Sequence, residues 1–181
     1  IRDEWTIRRY KQNYRWKTVW TDEKYNANVY GTQLLSQIIK VKFPYPKSLY
    51  TVEDCIQAII HDKNNAIILD YFAGSGTTAH AVLELNEKDQ GNRTFILCTN
   101  NEGNICEEVC YPRVKNIIKG YKNLKNGELV KGFGGNLKYF KTAFVKNNLS
   151  KDDLKIILSR ECTEMLCLRE GIFDEINHTP D

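Results

Sequence analysis

The residues best suited to chemistry are Asp70-Tyr71-Phe72-Ala73-Gly74-Ser75-Gly76-Thr77-Thr78. They follow a short apolar run, Ala66-Ile67-Ile68-Leu69. Two glycines separated by one residue, at the carboxyl end of a buried strand, let the main chain turn tightly and approach a ligand closely. A helix that follows directly aims its first amide N–H groups at the same place. Asp70 stands just ahead of the glycines, where a carboxylate repels a pyrophosphate and attracts an ammonium group. The chemistry expected is therefore the binding of a cofactor with an amino-acid-like end. Other readings stay open. A phosphate-binding P-loop requires a lysine after its second glycine, and Thr77 follows Gly76 here. Gly74-x-Gly76-x-x-Ala79 formally fits the dinucleotide pattern, and a glycine turn with no ligand has the same spacing.

The flanking pattern supplies elements to position this turn. Ile67–Leu69 reads as a strand buried on both faces, residues 77–85 as a helix stopped near Gly91, and Phe95–Cys98 as a second buried strand. Helices are expected over 31–39, 49–61, 105–121 and 151–169, with Leu49, Val52, Cys55, Ile56, Ile59 and Ile60 forming one apolar side of the second. A proline-held loop, Phe43-Pro44-Tyr45-Pro46-Lys47-Ser48, precedes that helix. Lys138 to Val145 alternates like a third strand. Strands alternating with helices imply an α/β fold with a parallel sheet, three layers deep, in which the glycine turn ends the central strand.

With these motifs in order, the chain resembles amino-group DNA methyltransferases, and most of all the modification subunits of type III restriction–modification systems. The resemblance rests on Asp70 to Val82, on Leu83-Glu84-Leu85-Asn86, on Gly91-Asn92-Arg93-Thr94-Phe95-Ile96-Leu97, and on the stretch from Val19-Trp20-Thr21-Asp22 to Phe43-x-x-Pro46-Lys47-Ser48-Leu49. It implies a partial Rossmann-like fold that binds S-adenosylmethionine. Pro46, Lys47 and Ser48 would contact the cofactor carboxylate and Asp70 its ammonium. Phe72 and Ala73 would line the methionine and adenosine. Gly74, Ser75 and Gly76 would offer close backbone approach, and Thr77 and Thr78 would donate hydroxyl bonds or cap the helix. Thr99 falls where an acid usually holds the ribose, which leaves Glu102 as the candidate for that role. The implied activity is methylation of an exocyclic base amine, adenine N6 before cytosine N4. The implied partners are double-stranded DNA, a restriction subunit and a second copy of the protein, with a cytoplasmic location.

Such enzymes hold the target amine with an Asp/Asn/Ser-Pro-Pro-aromatic tetrapeptide. The four prolines here, Pro44, Pro46, Pro112 and Pro180, are nowhere adjacent, so no catalytic residue is assigned. In one permuted class of the family the catalytic half comes first. The chain is accordingly expected to be a carboxyl-terminal piece: residues 1–30 ending target recognition or forming a linker, 31–145 binding the cofactor, and 146–181 forming a helical extension. A non-catalytic DNA-binding or assembly module is the other class of function that fits.

The remaining features constrain less. In residues 1–20, Arg8, Arg9, Lys11, Arg15 and Lys17 interleave with aromatic rings, which suits either nucleic-acid stacking or a half-buried strand. A net charge of +3 neither requires nor excludes nucleic acid, and no apolar run approaches the roughly 18 residues of a membrane span. The six cysteines include no Cys-x-x-Cys pair. They read as reduced thiols, with a zinc site from Cys106, Cys110 and a distant partner as the alternative.

Overall fold

The computed structural model describes residues 16–142, 144–145 and 150–172. The chain divides into two compact units, residues 1–137 and 138–181. In the first, Asp22 accepts a hydrogen bond from the Lys24 amide and starts a 3₁₀ turn, Glu23–Tyr25. Asn28–Gln33 winds with π-helical bonds and runs into α1 (Leu34–Ile38). There follow α2 (Leu49–Ile60), β1 (Ile67–Asp70), α3 (Thr77–Asp89) and β2 (Thr94–Leu97). A 3₁₀ turn (Glu102–Asn104) and a π-helical turn (Ile105–Cys110) lead into α4 (Tyr111–Lys119). A hairpin of β3 (Gly120–Lys122) and β4 (Leu129–Lys131) closes the unit.

β1 and β2 pair in parallel, with Ile67 opposite Thr94 and Asp70 opposite Leu97, and α3 is the crossover between them. One face of this sheet is packed. Ile68 and Phe95 meet Leu49, Ile56, Val82 and Leu85, while Phe95 and Leu97 meet Ala79, Val114 and Ile118. Burial of a Val or Leu side chain of this kind contributes about 1.5–3 kcal/mol. The other face is open: Ile67 is 71% and Leu69 61% exposed. The expectation of a central strand buried on both faces is thus corrected. Among the described residues the sheet has two strands, and α2, α3 and α4 all pack on the same side, giving two layers rather than three.

Three further differences have local causes. The helix expected to reach residue 121 stops at Lys119, because Gly120 turns to φ 88° and opens the hairpin. That hairpin is carried by Asn126-Gly127, a sequence suited to tight turns. The strand expected from Lys138 is not formed among the described residues of that stretch. On α2 the expected apolar side holds for Leu49, Val52, Ile56 and Ile60, which pack in the core, but not for Cys55 and Ile59. Cys55 is exposed and Ile59 is 85% exposed, whereas Glu53 and Asp54 are buried at 6% and 7%. Their partners come from elsewhere in the chain: Asp54 accepts from Lys24 Nζ and from the Tyr25 hydroxyl at 2.6 Å each, and Glu53 from Lys88 at 2.6 Å.

The basic–aromatic segment lies outside the described residues up to Arg15. From Trp16 to Trp20 there is no strand, and the rings of Trp16, Trp20 and Tyr25 stand in sequence with centroids 5.6 and 5.1 Å apart. In the second unit the described helix is α5 (Lys151–Glu170). Its amino end is capped by the Ser150 hydroxyl, which accepts from the Asp153 amide, and its carboxyl end by Gly171 at φ 68°. No helix among the described residues is long and apolar enough to cross a membrane.

At the contact of α3 with α4, His80 and Arg113 are 6% and 0% exposed, and an Arg113 Nη donates to His80 Nδ1 over 3.2 Å. Burial, and then the Arg113 charge, hold the imidazole well below its ordinary pKa of 6.5. The unfolded chain takes up this proton below about pH 6.5 while the folded chain does not. Stability is therefore fully present above that pH and falls as the pH drops through it, by up to about 1.4 kcal/mol per pH unit. Urea denaturation between pH 7.5 and 5 is expected to show this slope and to lose that component in His80→Gln. The α2 packing gives a second expectation. Asp54→Ala should destabilise by about 1–3 kcal/mol, as loss of a buried acceptor with two partners does, and Ile59→Ala by under about 0.5 kcal/mol. Equal midpoints for the two variants would contradict the burial assigned to them.

Candidate cofactor site

Because β1 and β2 run parallel, the loops that leave their carboxyl ends emerge side by side. The two are tied together by main-chain bonds: Ala73 N–H to the Cys98 carbonyl (3.0 Å) and Cys98 N–H to the Asp70 carbonyl (2.9 Å). Gly76 N–H closes the turn on the Ala73 carbonyl at 2.8 Å. Gly74 and Gly76 hold φ of 50° and 75°, left-handed values that side chains resist. Gly76 is also the residue before α3 and offers no capping side chain. The first-turn amides of α3 thus keep donor capacity, at the positive end of the helix dipole.

Asp70 braces the turn from the strand side. One carboxylate oxygen accepts from the Phe72 amide at 3.1 Å and the other from the Thr78 hydroxyl at 2.6 Å. Each oxygen retains a further acceptor position. Arg113 braces it from α4, donating to the Ser75 carbonyl and hydroxyl (3.2 Å each) and to the Thr77 hydroxyl (2.9 Å). Ser75 and Thr77, 4% and 5% exposed, therefore turn their hydroxyls inward, and only their main chain is left for a ligand. Cys110 packs beneath Gly76, and burial pushes its thiol up to about 12, so it stays protonated. The described residues contain no group of three His, Cys, Asp or Glu able to hold a metal ion.

The loop before α2 reaches the same turn. The Phe43 ring lies 3.5 Å from the position a side chain on Gly74 would take. Within that loop Pro46 is buried, Lys47 is exposed, and Ser48 is buried with its hydroxyl donating to the Lys24 carbonyl at 2.8 Å. Of the three residues expected at a carboxylate, Lys47 has the accessible cation. Ala73 is buried, while Phe72 and Tyr71 are 85% and 68% exposed, their rings edge to face at 5.3 Å. Glu102 is exposed on the β2 loop, with an oxygen 3.4 Å from Asn100 Nδ2. Asn101 and Asn104 make that loop's excursion with φ of 56° and 58°, and the Asn101 side chain accepts from the amides of Cys106 and Glu107.

The sequence-level reading missed Arg113 and His80. A signal for Arg113 was present: Val109, Arg113 and Ile117 are four residues apart and all buried, so the arginine occupies a core position of an amphipathic stripe. A cavity of about 570 Å³ lies elsewhere, between α3 and Tyr30, Tyr121 and Phe133, and includes no residue of the glycine turn.

Comparison with known proteins identifies the family. Residues 2–109 match the family model described as DNA methylase. The Mod subunit of the type III restriction–modification enzyme EcoPI, from Escherichia phage P1, is 38% identical over 86 residues, 48% of this chain and 13% of that protein. The StyLTI Mod subunit of Salmonella typhimurium is 56% identical over 57 residues, 32% of the chain and 8% of that protein. The type II methyltransferase M.KpnI of Klebsiella pneumoniae is 38% identical over 89 residues, 47% of the chain and 20% of that protein. The chain thus spans at most a fifth of the length of these relatives. The family model covers more than half of the chain, and the chain belongs to the DNA methylase family.

Proposed function

We propose that the chain is the cofactor-binding part of an S-adenosylmethionine-dependent DNA methyltransferase in a restriction–modification system, acting on adenine N6. The observation that carries this reading is the convergence of Asp70, the Gly74–Gly76 turn and the Phe43–Ser48 loop at the end of one parallel strand pair. The residues suit the group chemically. Asp70 has carboxylate capacity left for an ammonium, Lys47 offers a cation for a carboxylate, the glycines admit close approach, and Phe72 and Tyr71 present apolar surface. Glu102 is the proposed partner of the ribose hydroxyls. When bound, the cofactor supplies an electrophilic methyl group, and these residues orient it and exclude water from one side of it.

The open face of β1 and β2, with Ile67, Leu69 and Ile96 exposed, fits a Rossmann-like sheet completed by other parts of a longer protein. Those parts would carry the amine-holding tetrapeptide and most of the DNA contacts. Adenine N6 is proposed before cytosine N4 on the resemblance of the sequence motifs alone. A restriction subunit, a second copy of the protein and a cytoplasmic location belong to the same proposal.

Two outcomes test it. S-adenosylhomocysteine at 100 times its dissociation constant should stabilise the chain by about 2.7 kcal/mol. Asp70→Asn, which keeps the shape and removes the charge, should weaken binding. Gly74→Val should abolish it, because a β-branched residue strains a backbone at φ 50°. Identical thermal shifts for all three proteins would refute the assignment. The chain alone should also transfer no labelled methyl group to unmethylated DNA, since it contains no Pro-Pro pair. Incorporation by the purified chain would mean that the reacting residues lie elsewhere in it.

A further inference from the structure

Arg113 is wholly buried, yet no acidic side chain pairs with it among the described residues. The titratable groups facing it are His80 from α3, Cys110 from the turn before α4 and Tyr121 from β3. All three are neutral near pH 7, His80 because its pKa is lowered and the other two because burial raises theirs. The guanidinium is pulled down by burial to about 10 and still carries its charge. It lies under the amino end of α3, where the helix dipole is also positive, and its Nε has no partner. A methionine of similar length would fill the space without burying an uncompensated charge. It could not do what the planar fork does, which is to fix a carbonyl, two hydroxyls and an imidazole from a single rigid group.

Those acceptors decide what the turn presents. Ser75 lies between the two left-handed glycines, and Thr77 opens α3. Holding the Ser75 carbonyl and the Thr77 hydroxyl from below keeps that carbonyl turned inward while Gly76 N–H closes the turn on the Ala73 carbonyl, so the main chain of the turn is fixed from both sides. We propose that Arg113 is the positioning residue of this site, preorganising the Gly74–Thr78 main chain for the cofactor while touching none of it. The proposal rests on the reading of the turn as the S-adenosylmethionine site.

The test compares wild type with Arg113→Lys, Arg113→Met and Thr77→Val by two readouts. Calorimetric titration with S-adenosylhomocysteine should show a dissociation constant raised at least tenfold in both Arg113 variants, with a smaller rise in Thr77→Val. Site-resolved amide exchange without ligand should be at least tenfold faster at residues 74–78, with α2 unchanged. A merely structural arginine would leave both readouts at wild-type values in any variant that stays folded, and that result overturns the proposal. If wild type binds no cofactor but exchange quickens at the turn alone, positioning stands and the cofactor reading falls. If neither Arg113 variant folds, Thr77→Val decides: unchanged affinity and exchange in it overturn the proposal.

Discussion

Where a side chain on Gly76 would project, Cys110 Sγ and Val114 Cγ2 already stand, 3.1 and 3.2 Å from the missing atom. That absence lets the turn before α4 and the first turn of α4 press directly against the start of α3. From this contact the rest of the site follows. α4 comes close enough for Arg113 to reach Ser75 and Thr77, α3 starts at the glycine with its first amides uncapped, and the β2 loop is drawn beside the β1 loop through Ala73 and Cys98. A methyl group at Gly76 would meet a left-handed backbone and two packed neighbours together.

Much of this was legible in the sequence, and for identifiable reasons. The strand, turn and helix around Asp70 were readable because glycine spacing and apolar runs report local backbone geometry, which neighbours in sequence determine. The juxtaposition of Phe43 with Gly74 was implied by family resemblance alone, since nothing local links residues 31 positions apart. On α2 the apolar positions Leu49, Val52, Ile56 and Ile60 were legible, but the exposure of Cys55 and Ile59 was not, because Glu53 and Asp54 are buried by partners at Lys24, Tyr25 and Lys88, which no periodicity in α2 itself encodes. The hairpin was overlooked although Asn126-Gly127 announces it. Thr77 was expected to donate a hydroxyl bond or cap the helix, and Ser75 to offer its main chain; that both hydroxyls accept from Arg113 was not foreseen.

The two faces of the sheet mark the division between what this chain does and what it leaves exposed. On the helical side the interior is packed, with Ala79, Ala81 and Val82 at 0% exposure. On the other side the alternation of β1 and β2 points isoleucine and leucine outward, beside Tyr71 and Phe72. A parallel sheet is ordinarily covered on both faces. One side of the proposed cofactor site is thus formed by the chain, and the opposite side is open surface.

The central claim is that the turn at Asp70–Thr78 is where an S-adenosylmethionine-type ligand sits. Amide chemical-shift mapping with S-adenosylhomocysteine tests it most directly. The account predicts shifts at Asp70 to Thr78, at Phe43 to Lys47 and in the loop around Glu102, with α5 unaffected. Shifts confined to the cavity of Tyr30, Tyr121 and Phe133, with the glycine turn silent, would contradict it.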